Sequence, residues 1–169
     1  DIVDTNDGGF NSDACIAGDV VCKDIEKLTN DEDIKAVVLR INSGGGSAYA
    51  SEQIWNAVMK LKEKKPVVVS MGGYAASGGY YISSPANYIF AEPTTLTGSI
   101  GIFGMIPDFS QLLTEKLGIK FDEVKTNKMA GCGTMARPFN EEEMAILNAH
   151  TGRGYELVRK RVADGRNMP

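Results

Sequence analysis

Apolar residues along the chain switch between two periods, and the switches fall at glycine and proline. From about Gly18 to Leu28, the recurrence of Val21, Ile25 and Leu28 predicts a short amphipathic helix that closes at Thr29-Asn30-Asp31. Ala36-Val37-Val38-Leu39-Arg40-Ile41 is a β-branched run bounded by turn residues, which suits a buried strand. It leads straight into Asn42-Ser43-Gly44-Gly45-Gly46-Ser47. Ala50, Ile54, Val58 and Leu61 then mark one face of a helix that ends in the basic stretch Lys60 to Lys65, favourable at a helix C-terminus. Past Pro66, Val67-Val68-Val69-Ser70-Met71 predicts a second buried strand. That strand opens into Gly72-Gly73-Tyr74-Ala75-Ala76-Ser77-Gly78-Gly79-Tyr80-Tyr81.

Further on, Tyr88 to Ala91 and Ser99 to Phe103 are strand candidates, followed by a helix near Phe109 to Leu117 and a strand near Phe121 to Val124. In the last segment Asn140 can cap a helix with Glu143 three residues on. Met144, Leu147, Thr151, Tyr155, Val158 and Val162 form its apolar stripe, which Gly152 and Gly154 interrupt. Repeated strand, glycine turn and helix predict an α/β layered fold with a mostly parallel sheet flanked by helices. The first dozen residues, rich in Asp, Asn, Gly and Ser, bury little. Residues 1–17 are therefore expected to form a flexible N-terminal segment and 18–166 a single domain.

Composition supports one domain: 169 residues with 43% hydrophobic positions can bury a sizeable core. A net charge of -4 with scattered basic residues argues against a nucleic-acid partner, and Arg159-Lys160-Arg161 reads as a solvated helix face. Cys15, Cys22 and Cys132 cannot all pair and lack zinc-site spacing, so no metal is expected. No run reaches the ~20 apolar residues that a bilayer span needs. The sequence starts without methionine and stops at Asn167-Met168-Pro169, as a soluble piece of a longer protein would.

Both glycine-rich turns follow a buried strand and precede a helix, the place where open α/β folds bind ligands, so they should face each other. Neither the GxxxxGK[ST] phosphate loop nor a GxGxxG turn with its later acidic residue is present, and no cofactor is expected. The first turn can equally be a plain chain reversal. In the second, Ala75-Ala76-Ser77-Gly78-Gly79 sets one hydroxyl among small residues at a helix start. There the Gly78 N–H, with one from Gly45 or Gly46, could stabilise an oxyanion. Ser77 as an ordinary helix-capping serine fits the same spacing.

Three motifs in order carry a family resemblance: Arg40-Ile41-Asn42-Ser43-Gly44-Gly45-Gly46, then Ser70 to Ser83, then Leu96-Thr97-Gly98-Ser99-Ile100-Gly101-Ile102-Phe103-Gly104. From about Gly18 to Arg166 the chain resembles the signal peptide peptidase A (protease IV) family, within the fold group of Clp protease and the crotonases. The resemblance implies a Ser/Lys endopeptidase that degrades cleaved signal peptides. It also implies a homo-oligomeric ring or dome, anchored to the bacterial cytoplasmic membrane by a segment outside this sequence, with the catalytic domain on the outer side. Ser77 matches the family nucleophile, Gly78 an oxyanion donor, and Gly45 and Gly46 the glycine pair of the first motif. Gly44 stands where proline is usual before that pair. Ser99 is a candidate to orient the base, and equally a strand-start hydroxyl bonded to backbone.

A serine hydroxyl needs a neighbour to take its proton. His150, the one histidine, lies in the last helix, remote in sequence from both turns and without an evident carboxylate, which disfavours a Ser-His-Asp triad. In single-domain members of the family the base is a lysine shortly after the segment matching Phe121 to Lys125, and alignment puts Ala130 there, with Lys125 and Lys128 nearby but out of register. Long members of the family have two homologous halves, the serine on the second and the lysine on the first. The resemblance therefore implies a lysine supplied by a homologous N-terminal half, with Lys128 as a local substitute.

Tyr74, Tyr80, Tyr81, Ile102, Phe103 and Met105 could line an apolar groove for hydrophobic peptides, or pack the core. Two other classes stay open: a crotonase-like enzyme acting on acyl-CoA thioesters, which needs no nucleophilic serine, and a non-catalytic assembly module.

Overall fold

The structure, a computed structural model, describes residues 1–5 and 15–168. Most of the expected N-terminal loop, residues 6–14, lies outside the described residues. The chain forms two compact units, Asp1–Ile102 with Glu156–Pro169, and Phe103–Tyr155.

The first unit is built on β1 (Ile2–Val3), β2 (Ile16–Ala17), α1 (Gly18–Asn30), β3 (Val37–Ser43), α2 (Ala48–Lys64), β4 (Val67–Ala76), α3 (Gly78–Ser83), β5 (Tyr88–Phe90) and β6 (Leu96–Gly98). Every strand pair among the described residues is parallel, as strand–helix alternation requires. β4 is central: β3 flanks one side, β5 pairs with Val68 to Ser70 and β6 with Tyr74 to Ala76. The core lies between this sheet and the helices, where Val37, Ile41, Val67, Val69 and Met71 meet Ile25, Ile54, Val58 and Leu61. Each fully buried aliphatic side chain contributes about 1.5–3 kcal/mol.

Sequence periodicity finds α1, β3, α2 and the start of β4, but it ends β4 too early, at Met71. The strand runs on through the glycines to Ala76, because a register shift opens between Ile41 and Ser43 of β3 and the Asn42 carboxamide fills it, Oδ1 accepting the Tyr74 N–H at 3.1 Å. Lys65 is also unlike a solvated lysine. It is 9% exposed and donates to the Leu28 and Asp31 carbonyls at the end of α1.

The strand expected at Ser99 to Phe103 is instead Leu96–Gly98. Gly98, the last residue of β6, still pairs with Ala76 at φ 87°, and Ser99 at φ 51° then turns the chain out of the ladder. The expectation that the first residues bury little fails at Ile2, which is 2% exposed. Its N–H donates to the Gly45 carbonyl at 2.8 Å and its carbonyl accepts the Ser47 N–H at 2.8 Å, a parallel bridge onto the first glycine turn.

In the second unit the expected helix near Phe109 to Leu117 is a short helical start at Ser110 followed by a wide π-type turn over Leu112–Lys116. Phe121 to Val124 forms no strand, and Val124 is 97% exposed. The expected cap of the last helix, α4 (Glu141–Arg166), is formed: Asn140 Oδ1 accepts the Glu143 N–H and Glu143 Oε2 the Asn140 N–H, both at 2.9 Å. Of the expected stripe, Val158 and Val162 are buried, whereas Met144 and Tyr155 are each 42% exposed.

Candidate active site

Strand β4 ends where Ser77 takes φ 51° and ψ −120°, a left-handed corner that costs a non-glycine residue about 1–3 kcal/mol. The corner turns the chain directly into α3. It is held from one side by β6, since the Ser77 N–H donates to the Gly98 carbonyl at 2.9 Å. Ser77 occupies the cap position of α3 yet makes no side-chain cap bond, and no described residue hydrogen-bonds to its Oγ. An ordinary capping serine would use its hydroxyl there. This one is placed at a strained corner and left unspent.

The two glycine turns do face each other. A Cβ on Gly45, whose φ is 112°, would stand 2.7 Å from Ser77 Cβ, 2.9 Å from Gly78 N and 3.1 Å from Ser77 Oγ. Only a residue without a side chain permits that approach. Gly78 in turn would press a Cβ to 2.5 Å from Ser51 Oγ and 3.3 Å from Gly45 Cα, and Gly79 to 2.5 Å from the Ser43 carbonyl oxygen. These glycines close the gap between the β3–α2 turn and the start of α3.

Two backbone N–H groups on the facing turns are left without a hydrogen-bond partner among the described residues. Gly78 is the first residue of α3, so its N–H has no carbonyl within the helix. Gly46 bridges to Ile2 through its neighbours' groups, the Gly45 carbonyl and the Ser47 N–H, so its own N–H points away from that strand. The Gly45 N–H is different. It donates to Ser43 Oγ at 3.1 Å.

Of the remaining sequence candidates, Ser99 lies one residue past β6, exposed, at the second non-glycine φ of 51° next to this corner. Tyr74 is 55% exposed on the part of β4 that approaches the site, and Tyr80 packs partly against the core. Tyr81 is no groove residue: it is 3% exposed, and its hydroxyl donates to Glu52, which is paired with Arg161 at 2.9 Å. Burial and that bond push the Tyr81 phenol well above its usual range.

Phe103 and Met105, in the second unit, are 86% and 85% exposed. In the same unit Lys128 is 76% exposed and ion-paired with Glu142, while Lys125 pairs with Glu123 at 2.8 Å. Each ammonium thus has a carboxylate partner and water rather than an apolar pocket. His150 is exposed on α4. No group of metal-ligating side chains occurs among the described residues, and no described helix is long and apolar enough to cross a membrane.

Asn42 and Ser43 belong to the first motif, but sequence reasoning gave neither a role. Short polar side chains at the end of a strand commonly bond backbone two residues on, and that local rule is the signal that finds them.

The profile of peptidase family S49 matches residues 59–169, which include Ser77, α3 and β6. The chain belongs to peptidase family S49. A Clp protease profile matches residues 12–95, in keeping with the parallel sheet flanked by helices. The chain is 42% identical to Protease 4 of Haemophilus influenzae over 152 residues, 89% of this chain and 24% of that protein. It is 36% identical to the chloroplastic serine protease SPPA of Arabidopsis thaliana over 157 residues, 92% of this chain and 23% of that protein. A putative signal peptide peptidase SppA of Enterococcus faecium is 35% identical over 145 residues, 85% of this chain and 42% of that protein. The chain thus spans less than half the length of each of these curated relatives.

Proposed function

We propose that this chain carries the nucleophile and oxyanion site of a serine endopeptidase, and that a lysine from a homologous half supplies the general base. The observation that carries this is the unspent Ser77 hydroxyl, held at a strained corner against Gly45 and beside the unpaired N–H of Gly78. In the proposed reaction a neutral lysine amine takes the Ser77 proton as Oγ attacks the scissile carbonyl. The oxyanion is held by the N–H groups of Gly46 and Gly78, with Gly45 supplying the close approach. The leaving amine takes the proton from the lysine, and water then hydrolyses the acyl-enzyme. Ser99, next to the corner, is the residue proposed to orient that lysine.

The proposed substrates are cleaved signal peptides or similar hydrophobic peptides at the outer side of the bacterial cytoplasmic membrane, reached through an anchor elsewhere in the full chain. Exposed Tyr74 is a proposed groove residue with Tyr80 at its edge, and Phe103, on the second unit, is proposed separately as an apolar contact for the peptide. Support for assembly into a homo-oligomer comes from the apolar side chains left in water on the second unit, such as Phe103, Met105 and Val124. The settings of Lys125 and Lys128 favour a base from elsewhere.

The test is labelling of the full-length protein with a fluorophosphonate. Modification at Ser77, and loss of peptide hydrolysis by ~10⁴-fold or more in Ser77→Ala, is the expected result. Hydrolysis of an acyl-CoA thioester that survives Ser77→Ala would sink the peptidase. Peptide hydrolysis abolished by Lys128→Ala would sink the external base.

A further inference from the structure

The first glycine turn has three consecutive amides that a flexible loop could offer to an oxyanion, yet it engages them differently. Ser43, the last residue of β3, is 5% exposed, and its Oγ accepts the Gly45 N–H at 3.1 Å while lying 3.4 Å from the Gly45 carbonyl oxygen. That carbonyl is already the acceptor for the Ile2 N–H. Both backbone groups of Gly45 are therefore occupied, and its Cα is the atom pressed against Ser77. The next amide, Gly46, has no hydrogen-bond partner among the described residues.

We propose that the Ser43 hydroxyl is a positioning residue for the oxyanion site: by taking the Gly45 N–H, it fixes the turn so that the Gly46 N–H is presented beside Ser77. The hydroxyl acts through Gly45 and touches no reacting atom. Without it, the Gly45 N–H is a buried donor lacking a partner, and the turn must rotate to satisfy it. Gly45 and Gly46 are glycines, so nothing in their side chains resists that rotation. Ser43 holds the turn locally, and the bridge to Ile2 holds it from the other side. This inference rests on the peptidase function proposed above.

In the full-length protein, Ser43→Ala should lower kcat for peptide hydrolysis about 10- to 100-fold with KM nearly unchanged, short of the ~10²–10³-fold expected from losing a donor altogether. Affinity for a peptide aldehyde, whose hemiacetal oxygen occupies the oxyanion site, should fall in parallel, whereas affinity for the product peptide should hold. Ser43→Thr keeps the hydroxyl and should restore most of both. Wild-type kcat and aldehyde affinity in Ser43→Ala would overturn the inference, as would equal loss in the alanine and threonine variants. If Ser43→Ala does not fold, amide exchange in the wild-type protein decides: Gly45 must exchange more slowly than Gly46, and the reverse order refutes the assignment. No fluorophosphonate labelling of the wild type would remove the peptidase function together with this inference; normal labelling with an indifferent Ser43→Ala removes this inference alone.

Discussion

Gly45 Cα packs against Ser77 so closely that a methyl group there would meet Ser77 Cβ at 2.7 Å. Its neighbour Gly44 has nothing within 4 Å of the same position and no left-handed φ. Gly44→Ala should therefore be neutral or stabilising by about 0.4–1 kcal/mol, since it restricts only the unfolded chain. Gly45→Ala must shift the Ser77 corner and should abolish fluorophosphonate labelling. Thermal melts and labelling of the two variants side by side check the contrast; equal behaviour would show that the two turns do not meet as described.

Glu143 sits at the start of α4, fully buried, with Arg137 donating to both its oxygens at 2.8 Å. The Arg137 guanidinium first, and the Asn140 N–H second, hold its carboxyl down from 4.5 to about 2. A depressed carboxyl stabilises the fold fully above its unfolded value. That stabilisation is lost as pH falls from about 4.5 to about 2. Protection of the amides of residues 140–146, taken relative to the intrinsic exchange rate at each pH, should fall across this window in the wild type. In Glu143→Gln that protection should already be low at neutral pH and change little through the window.

How much of this was legible in sequence depends on how local the cause was. Val67 to Met71 and the Ile54, Val58, Leu61 face follow from period alone, and the Asn140–Glu143 cap from a spacing of three. Ser77 was legible as a hydroxyl among small residues, but the corner that keeps it from capping α3 was not, because it depends on pairing with Gly98 across the sheet. Ile2 was missed because its partner, Gly46, lies far along the chain. Phe121 to Val124 reads as strand by composition, yet a strand needs a neighbour to pair with, and none is offered among the described residues.

The Tyr81 hydroxyl, Glu52 and Arg161 form a chain that ends with the guanidinium 3.9 Å from the centre of the Trp55 ring. It ties α3 and α2 to the end of α4. Arg161→Ala removes both the ion pair and the cation–π contact and should cost about 1–2 kcal/mol. Arg161→Lys should recover only part, since a point charge cannot both stack and pair. Tyr81→Phe should cost about 1 kcal/mol and remove the latest step of an ultraviolet tyrosine titration, because burial and then Glu52 keep this phenol protonated after exposed tyrosines have ionised. A late step that survives in Tyr81→Phe would assign the raised phenol elsewhere.

Asn42 decides where β4 delivers its end. Ile41 pairs with Met71 but Ser43 with Ala75, so β4 gains two residues on β3 at the shift, and the Asn42 side chain fills the space. Its Oδ1 bonds the Tyr74 N–H, and Gly72 packs so closely that a Cβ there would stand 2.7 Å from that oxygen. Without the carboxamide the Tyr74 N–H loses its partner and the bulge has nothing to hold its shape. Asn42→Ala should cost about 0.5–1 kcal/mol in thermal or denaturant unfolding and slow Ser77 labelling by more than the change in stability explains. Asn42→Asp keeps an acceptor oxygen of the same reach and should retain most of the labelling rate. If alanine and aspartate slow labelling equally, the bulge is held by the backbone alone, and Asn42 has no part in placing the nucleophile.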